Sequence, residues 1–277
     1  GPYLKTSKPA WQPTDTKKTL VWGEQGIGDV ISFSSIISEI YKQSSGLTVR
    51  VDQRLVTLFK RSFPNDIKFH PDNEILLEDN YDVHIPIGSL PKYFRRTTDQ
   101  FKKTAAGWLT ADEERAAHLR SSLVSKSDTI LIGISWTSKS KLKGAKNPEI
   151  SLIELAKALQ RSNVQLVSLQ YGDVTKELED LQNELSIEVM TVPDIDNRED
   201  IDGLSALIKG CDQVVTIDNV TAHLAGALGK KTTALLAYSY DWRWRQADNS
   251  SLWYNSVNTL KQSDIGNWSS VVKNLCR

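Results

Sequence analysis

Seven consecutive residues, Thr129-Ile130-Leu131-Ile132-Gly133-Ile134-Ser135, carry no charge and have hydroxyls only at their ends. A run this short and this apolar fits a strand covered on both faces, the environment of a parallel sheet flanked by helices. That points to an α/β layer architecture. Similar short runs recur at Thr19–Trp22, Leu47–Val51, Ile67–Phe69, Val83–Ile87, Val164–Leu169, Gln213–Ile217 and Thr232–Ala237. Helical spacing of apolar residues separates them, at Val30–Tyr41, Arg54–Phe63, Ala111–Leu123, Ser151–Leu159, Val174–Leu185, Gly203–Ile208 and Ala222–Leu228. The alternation predicts an α/β fold of mostly parallel sheets with right-handed crossovers. It falls into two series, which predicts an N-terminal domain over 1–127 and a C-terminal domain over 128–277. The last helix, Trp268–Leu275, is expected to brace the two halves.

Charge excludes one broad class of function. Lys plus Arg and Asp plus Glu both number 34, so the formal net charge is zero. A bulk nucleic-acid binder would carry a basic excess, and no nucleic-acid partner is expected. The two cysteines, Cys211 and Cys276, are too few for a disulfide framework, which fits a reducing cytoplasm. No apolar run approaches the ~18 residues that suggest a membrane span. The start, Gly1-Pro2-Tyr3-Leu4-Lys5, does not read as a signal peptide. Gly1-Pro2 reads as the remnant of a protease cleavage, so the chain is expected to be a piece of a longer protein.

The first strand runs into a glycine turn, Gly23-Glu24-Gln25-Gly26-Ile27-Gly28-Asp29, and then into a helix. Glycines let a ligand approach the backbone, and free N–H groups at a helix start attract anions. One reading of Gly26-Ile27-Gly28 is a dinucleotide fingerprint, with Asp52 about 20 residues on as the ribose-binding acid. Ile31 stands where that fingerprint needs its third glycine. Asp29 lies in the first helical turn, where the dipole favours its anion. It either caps the helix or serves chemistry.

The stretch Val21-Trp22-Gly23-Glu24-Gln25-Gly26-Ile27-Gly28-Asp29 resembles the start of the glycosyltransferase domain that follows tetratricopeptide repeats in many bacterial proteins. That domain is related to the ADP-heptose heptosyltransferases. Arg54–Pro64, Ile87–Pro91, Gly107–Leu109, Ser168–Gln170, Asp218–Gly229, Asp241–Trp244 and Trp253–Tyr254 are similar too. The resemblance implies a GT-B fold of two Rossmann-like domains, the first on the acceptor side and the second binding the nucleotide sugar. It implies an inverting, metal-independent glycosyltransferase with no cofactor beyond its nucleotide-sugar co-substrate. The acceptor would be a protein or glycan hydroxyl, and a tetratricopeptide-repeat region would precede the chain.

By the same resemblance, Asp29 is the general base that takes the proton of the attacking hydroxyl. Gly26, Gly28, Gln170, Asp218, Asn219, Val220, Thr221 and His223 would bind the donor, and Lys143 and Lys146 its diphosphate. The lysines belong to a basic loop, Lys139 to Lys146, which is otherwise a solvated surface loop. Gln170 otherwise caps a strand end, and a lone His223 near a helix start is otherwise structural. Relatives carry Thr and a small residue where this chain has Asn219 and Val220; Val220 hinders close backbone approach. Asp241, Trp242 and Trp244 are candidates for sugar or acceptor contacts. The tryptophans alternate, which predicts an extended segment with both on one side; core packing is the other reading. No metal ligands are expected, on the reading that no Asp-x-Asp pair of the metal-dependent kind occurs. Since the phosphate contacts fall in the second half, replacing Asp29 is expected to leave donor affinity unchanged. The alternatives are a nucleotide-sugar epimerase or hydrolase of the same architecture, and a degenerate module that binds a glycan or partner without turnover.

Overall fold

The structure, a computed structural model, describes residues 4–101, 107–138, 149–244 and 250–275. Its first series runs β1 (Lys18–Trp22), α1 (Ile27–Ser34), α2 (Ile37–Tyr41), β2 (Gly46–Val51), α3 (Gln53–Ser62), β3 (Lys68–Pro71), β4 (Val83–Pro86), α4 (Pro91–Phe94) and α5 (Thr98–Phe101). Helix α6 (Glu113–Leu123) leads to the second series: β5 (Ile130–Ser135), α7 (Leu152–Leu159), β6 (Val164–Ser168), α8 (Thr175–Leu185), β7 (Val189–Met190), α9 (Ile201–Gly210), β8 (Gln213–Ile217), α10 (Val220–Ala227), β9 (Thr232–Leu236), β10 (Val257–Lys261) and α11 (Ser269–Leu275).

The strands form two sheets, one of four in the order β3-β2-β1-β4 and one of six in the order β10-β9-β8-β5-β6-β7. Every pairing within them is parallel. The central strands β1 and β5 are buried at every position after the first, as an apolar run covered on both faces requires. Caps set several helix starts. Asp52 accepts from the N–H of Arg54 at the head of α3, and Asp200 accepts from that of Gly203 at the head of α9. Asp52 also grips the Arg54 guanidinium at 2.7 Å. Its role is local, and nothing about it favours a ribose-binding acid.

One apolar core runs through both series, joining Val30, Leu55 and Leu58 to Leu204, Leu207 and Leu224. Helix α3 lies on α9, where Arg61 clasps Asp202 through two bonds of 2.7 and 2.8 Å. Helix α1 lies on α10 through small residues. At Gly28 an added Cβ would sit 2.8 Å from the His223 ring. At Gly226 it would sit 2.5 Å from two ring carbons of Tyr254.

Two expectations need correction, and one strand was unread. The helix expected over Val30–Tyr41 breaks after Ser34. The hydroxyls of Ser34 and Ser35 bond back to the carbonyls of Ile31 and Ser32, competing with the helical ladder. The final helix does not brace the halves. Trp268 and Val271 belong to a cluster built from the six-stranded side, and α11 packs on α7 and β10. Strand β10 escaped notice because its Asn258 and Lys261 interrupt the apolar pattern, although Val257 and Thr259 alternate inward.

The contact at Gly226 gives the fold its test. Alanine in a helix ordinarily gains ~1 kcal/mol over glycine. Here the methyl meets a ring fixed from several sides, and overpacking costs ~1–3 kcal/mol. Gly226→Ala is expected to lower the urea midpoint; a raised midpoint would show that the Tyr254 ring has room to move.

Candidate active site

The turn after β1 and the turn after β8 meet where α1 and α10 begin. Asp29 is the third residue of α1. The helix is capped by Gly26, without any side-chain bond, so Asp29 is not the cap. Its carboxylate forms an ion pair with the Arg243 guanidinium, which comes from the other half. Arg243 sits in the short 3-10 turn Trp242–Trp244. Asp241 folds this turn: it accepts from the backbone N–H of Arg243 at 2.9 Å and lies 3.1 Å from Nε. Arg243 is largely buried, and burial lowers its pKa. An arginine starts so high that it stays charged.

Below this pair lies a buried polar cluster. His223 Nδ1 is 2.8 Å from the Tyr254 hydroxyl and 3.1 Å from Ser32 Oγ, and the two hydroxyls are 2.5 Å apart. The His223 ring stacks on Trp244, centroids 5.2 Å apart. Its Nε2 lies 3.7 Å from Asp218 Oδ1. Burial pushes the His223 pKa down to about 4, so the ring is neutral at pH 7. The consistent tautomer has Tyr254 donating to Nδ1 and the Nε2 proton facing Asp218. Burial also raises Asp218, to about 6, with the Trp244 indole and the Asp241 charge as smaller influences. The indole N–H leans toward this carboxylate without ordinary hydrogen-bond geometry.

The remaining candidates divide clearly. Asn219 caps α10, its Oδ1 accepting from Thr221 N–H and from Thr216, and its Nδ2 donating to Ser135. Thr221 is buried, and half-buried Val220 packs against the core. Gln170 accepts from Ser135 Oγ, Trp136 N–H and Thr137 N–H, each at 3.0 Å, holding the chain as it leaves β5. Gly26 and Gly28 lie at the head of α1, Gly28 beneath His223. Lys143 and Lys146, with Lys139 and Lys141, lie outside the described residues. Trp242 and Trp244 do not share a face. The segment is a turn, not a strand, so Trp242 is 54% exposed and Trp244 fully buried.

The chain does contain Asp-x-Asp spacings, at Asp194–Asp196 and Asp200–Asp202. Three of these carboxylates have structural partners. Asp196 accepts from the N–H groups of Arg198 and Glu199, Asp200 caps α9 and pairs with Arg115, and Asp202 holds Arg61. Among the described residues no cluster of three or more His, Cys, Asp or Glu side chains is placed to hold a metal. Among them also, no helix is long and apolar enough to cross a membrane.

Residues 94–272, more than half of the chain, match the family described as Glycosyltransferase family 9 (heptosyltransferase). The chain belongs to glycosyltransferase family 9. The family match takes in His223, Arg243 and Tyr254 and begins after Asp29. Protein FlbA of Caulobacter vibrioides is 29% identical over 269 residues, covering 91% of this chain. The chain spans 44% of that curated relative's length. Three solved structures share the α/β, GT-B-like fold. The E. coli ADP-heptose LPS heptosyltransferase II has a TM-score of 0.64 at 17% identity, over 93% of this chain and 97% of that one. A family 9 glycosyltransferase from Veillonella parvula gives 0.58 at 16%, over 91% and 87%. The E. coli heptosyltransferase WaaC with ADP-2-deoxy-2-fluoro heptose gives 0.55 at 13%, over 93% and 98%.

In this family 9 chain, sequence reasoning missed Ser32, Ser135, Arg243 and Tyr254. Ser32 had a signal, since it follows Asp29 by three residues on one helical face. Arg243 was hidden between the two tryptophans that drew attention. Tyr254 is far from the turn in sequence and reaches it only through the fold.

The two shifted groups act on stability with opposite sign. His223 is depressed from 6.5 to about 4, so the native state resists a proton that the unfolded chain accepts. Its contribution is present above pH 6.5 and lost as pH falls toward 4, at most ~3 kcal/mol. Asp218 is raised from 3.8 to about 6, so its ionisation costs stability as pH rises across that window. The two largely offset each other. Asp218→Asn is expected to steepen the loss of stability between pH 6.5 and 4, and His223→Gln to flatten it, in urea midpoints measured across that range. Equal slopes for the two variants would contradict the assignment.

Proposed function

We propose that this chain is the catalytic domain of an inverting glycosyltransferase, taking a sugar from a nucleoside-diphosphate donor to a hydroxyl of a protein or glycan. The observation that carries the reading is the meeting of two helix starts, those of α1 and α10, with Asp29 between the halves. Membership of family 9 and the fold shared with heptosyltransferases support it.

In this reading the donor diphosphate lies toward α10 and the acceptor toward α1. The acceptor hydroxyl attacks the anomeric carbon while Asp29 takes its proton. The bond from that carbon to the diphosphate oxygen breaks from the opposite side, which inverts the centre. The leaving diphosphate is met by the N–H groups at the start of α10 and by the lysines of the 139–146 loop. Asn219 and Gln170 keep the strand ends around the donor in place. No metal is needed if these groups carry the charge. We also propose that the domain works in the cytoplasm behind a tetratricopeptide-repeat region, as the resemblance implies and the greater length of FlbA allows.

One observation favours a second reading, a binding module without turnover: Asp29 is already neutralised by Arg243. Two measurements decide. Thermal shift with ADP, GDP, UDP and their sugars, with and without chelator, is expected to find a stabilising nucleotide either way; loss of all binding on chelation would refute metal independence. Once a donor and acceptor pair is found, Asp29→Asn is expected to lower transfer by ~100- to 10,000-fold, the range of general-base catalysis. Transfer near the wild-type rate would remove Asp29 from the mechanism. Nucleotide binding with no transfer to any acceptor would favour the binding module.

A further inference from the structure

The ion pair between Asp29 and Arg243 joins the proposed base in one half to a guanidinium in the half proposed to bind the donor. Its surroundings are lopsided. Asp29, Asp218 and Asp241 all act on this corner, and Arg243 pairs with two of them. A carboxylate clamped by a guanidinium is a poor base, because the pairing favours its anionic form and occupies a lone pair. An entering diphosphate would meet these carboxylates as like charges, unless a cation turned to face it.

We propose that Arg243 is a donor-operated latch: it holds Asp29 in the free protein, and the diphosphate of the nucleotide sugar draws it away and releases the base. This rests on the donor-binding reading above. Asp241 supplies the pivot. It accepts from the backbone N–H of Arg243 and lies 3.1 Å from Nε, while the Nη end makes the contact with Asp29. Swinging that end alone exchanges a carboxylate for a phosphate, a partner the planar guanidinium also meets through two parallel bonds. Asp29 is then left without its cation and beside a new negative charge, and both changes raise its affinity for a proton. The base becomes competent only when the donor is in place, so the site is not armed before the sugar arrives.

The latch makes donor and Asp29 competitors for one guanidinium, which predicts an outcome that a structural role would not produce. Removing the charge of Asp29 should strengthen diphosphate binding, contrary to the sequence expectation of no change. The measurement is calorimetric affinity for whichever of ADP, GDP or UDP binds best, with its bare nucleoside as control. Asp29→Asn is expected to tighten the diphosphate by roughly 5- to 100-fold, the usual span of coupled sites, and to leave the nucleoside unchanged. Arg243→Gln should weaken the diphosphate, and adding Asp29→Asn to it should recover only the smaller gain from lost like-charge repulsion. Arg243→Lys, which keeps the charge without the fork, should retain part of the effect and shows whether the turn still folds. Binding that is unchanged or weaker in Asp29→Asn would overturn the latch while leaving the donor site intact. An equal gain in the Arg243→Gln background would also overturn it. Failure of the wild-type protein to bind all three diphosphates would instead overturn the donor reading, and the latch with it.

Discussion

Helices α1 and α10 lie side by side with their N-terminal ends together, because Gly28 faces His223 near the start and Trp108 ties the far ends. The Trp108 indole donates to Ser34 Oγ at 2.9 Å, and its backbone N–H donates to Ala227 O at 2.8 Å. A side chain of ordinary size at Gly28 would meet the His223 ring and push the pair apart. Parallel alignment brings two positive helix ends to one mouth, which is unfavourable unless negative charge lies nearby. Asp29 and Asp218 provide that charge.

The floor of this site is a hydrogen-bonded cluster and its rim is an ion pair. His223, Ser32 and Tyr254 satisfy one another away from water, and Trp108 and Trp244 cover the cluster with flat rings. An unpaired polar group here would be costly, since little solvent reaches it. Burial keeps His223 neutral, and through Nδ1 its ring meets Ser32 of α1 and Tyr254. At the rim, by contrast, the Asp29–Arg243 contact links two charged groups that lie outside the hydrogen bonds of the buried cluster.

The architecture was legible because it rests on local pattern. An apolar run such as Ile130–Ser135 reads as a doubly covered strand whatever surrounds it, and the two series of alternating elements give two sheets. The glycine turn and Asp29 were legible for a similar reason, since a strand, glycines and a helix start lie within one short stretch. Relations between distant residues were not. Nothing near Asp29 in sequence announces Arg243, and nothing near His223 announces Tyr254 or Ser32. The extended geometry expected for Trp242 and Trp244 failed because the Asp241 side chain bends the backbone, a local competition that alternation of residue type does not reveal. Strand β10 was passed over because an edge strand tolerates polar residues that a central strand excludes.

How the halves communicate follows from how they are joined. Large opening would have to part α3 from α9 at the Arg61–Asp202 clasp, and α1 from α10 at a buried hydrogen-bonded cluster. Both are partly or wholly shielded from water, where separating charge and polar pairs is most costly. In the proposed reading, a signal between donor and acceptor sides would travel more cheaply by exchanging charge partners at the rim than by swinging one half against the other. Arg243 is the residue proposed for that exchange. It is anchored through its backbone and Asp241 in one half, and it touches the first turn of α1 in the other. Coupling of this kind needs only a guanidinium to change partner over the length of its own side chain, with the packed floor beneath it left as it is.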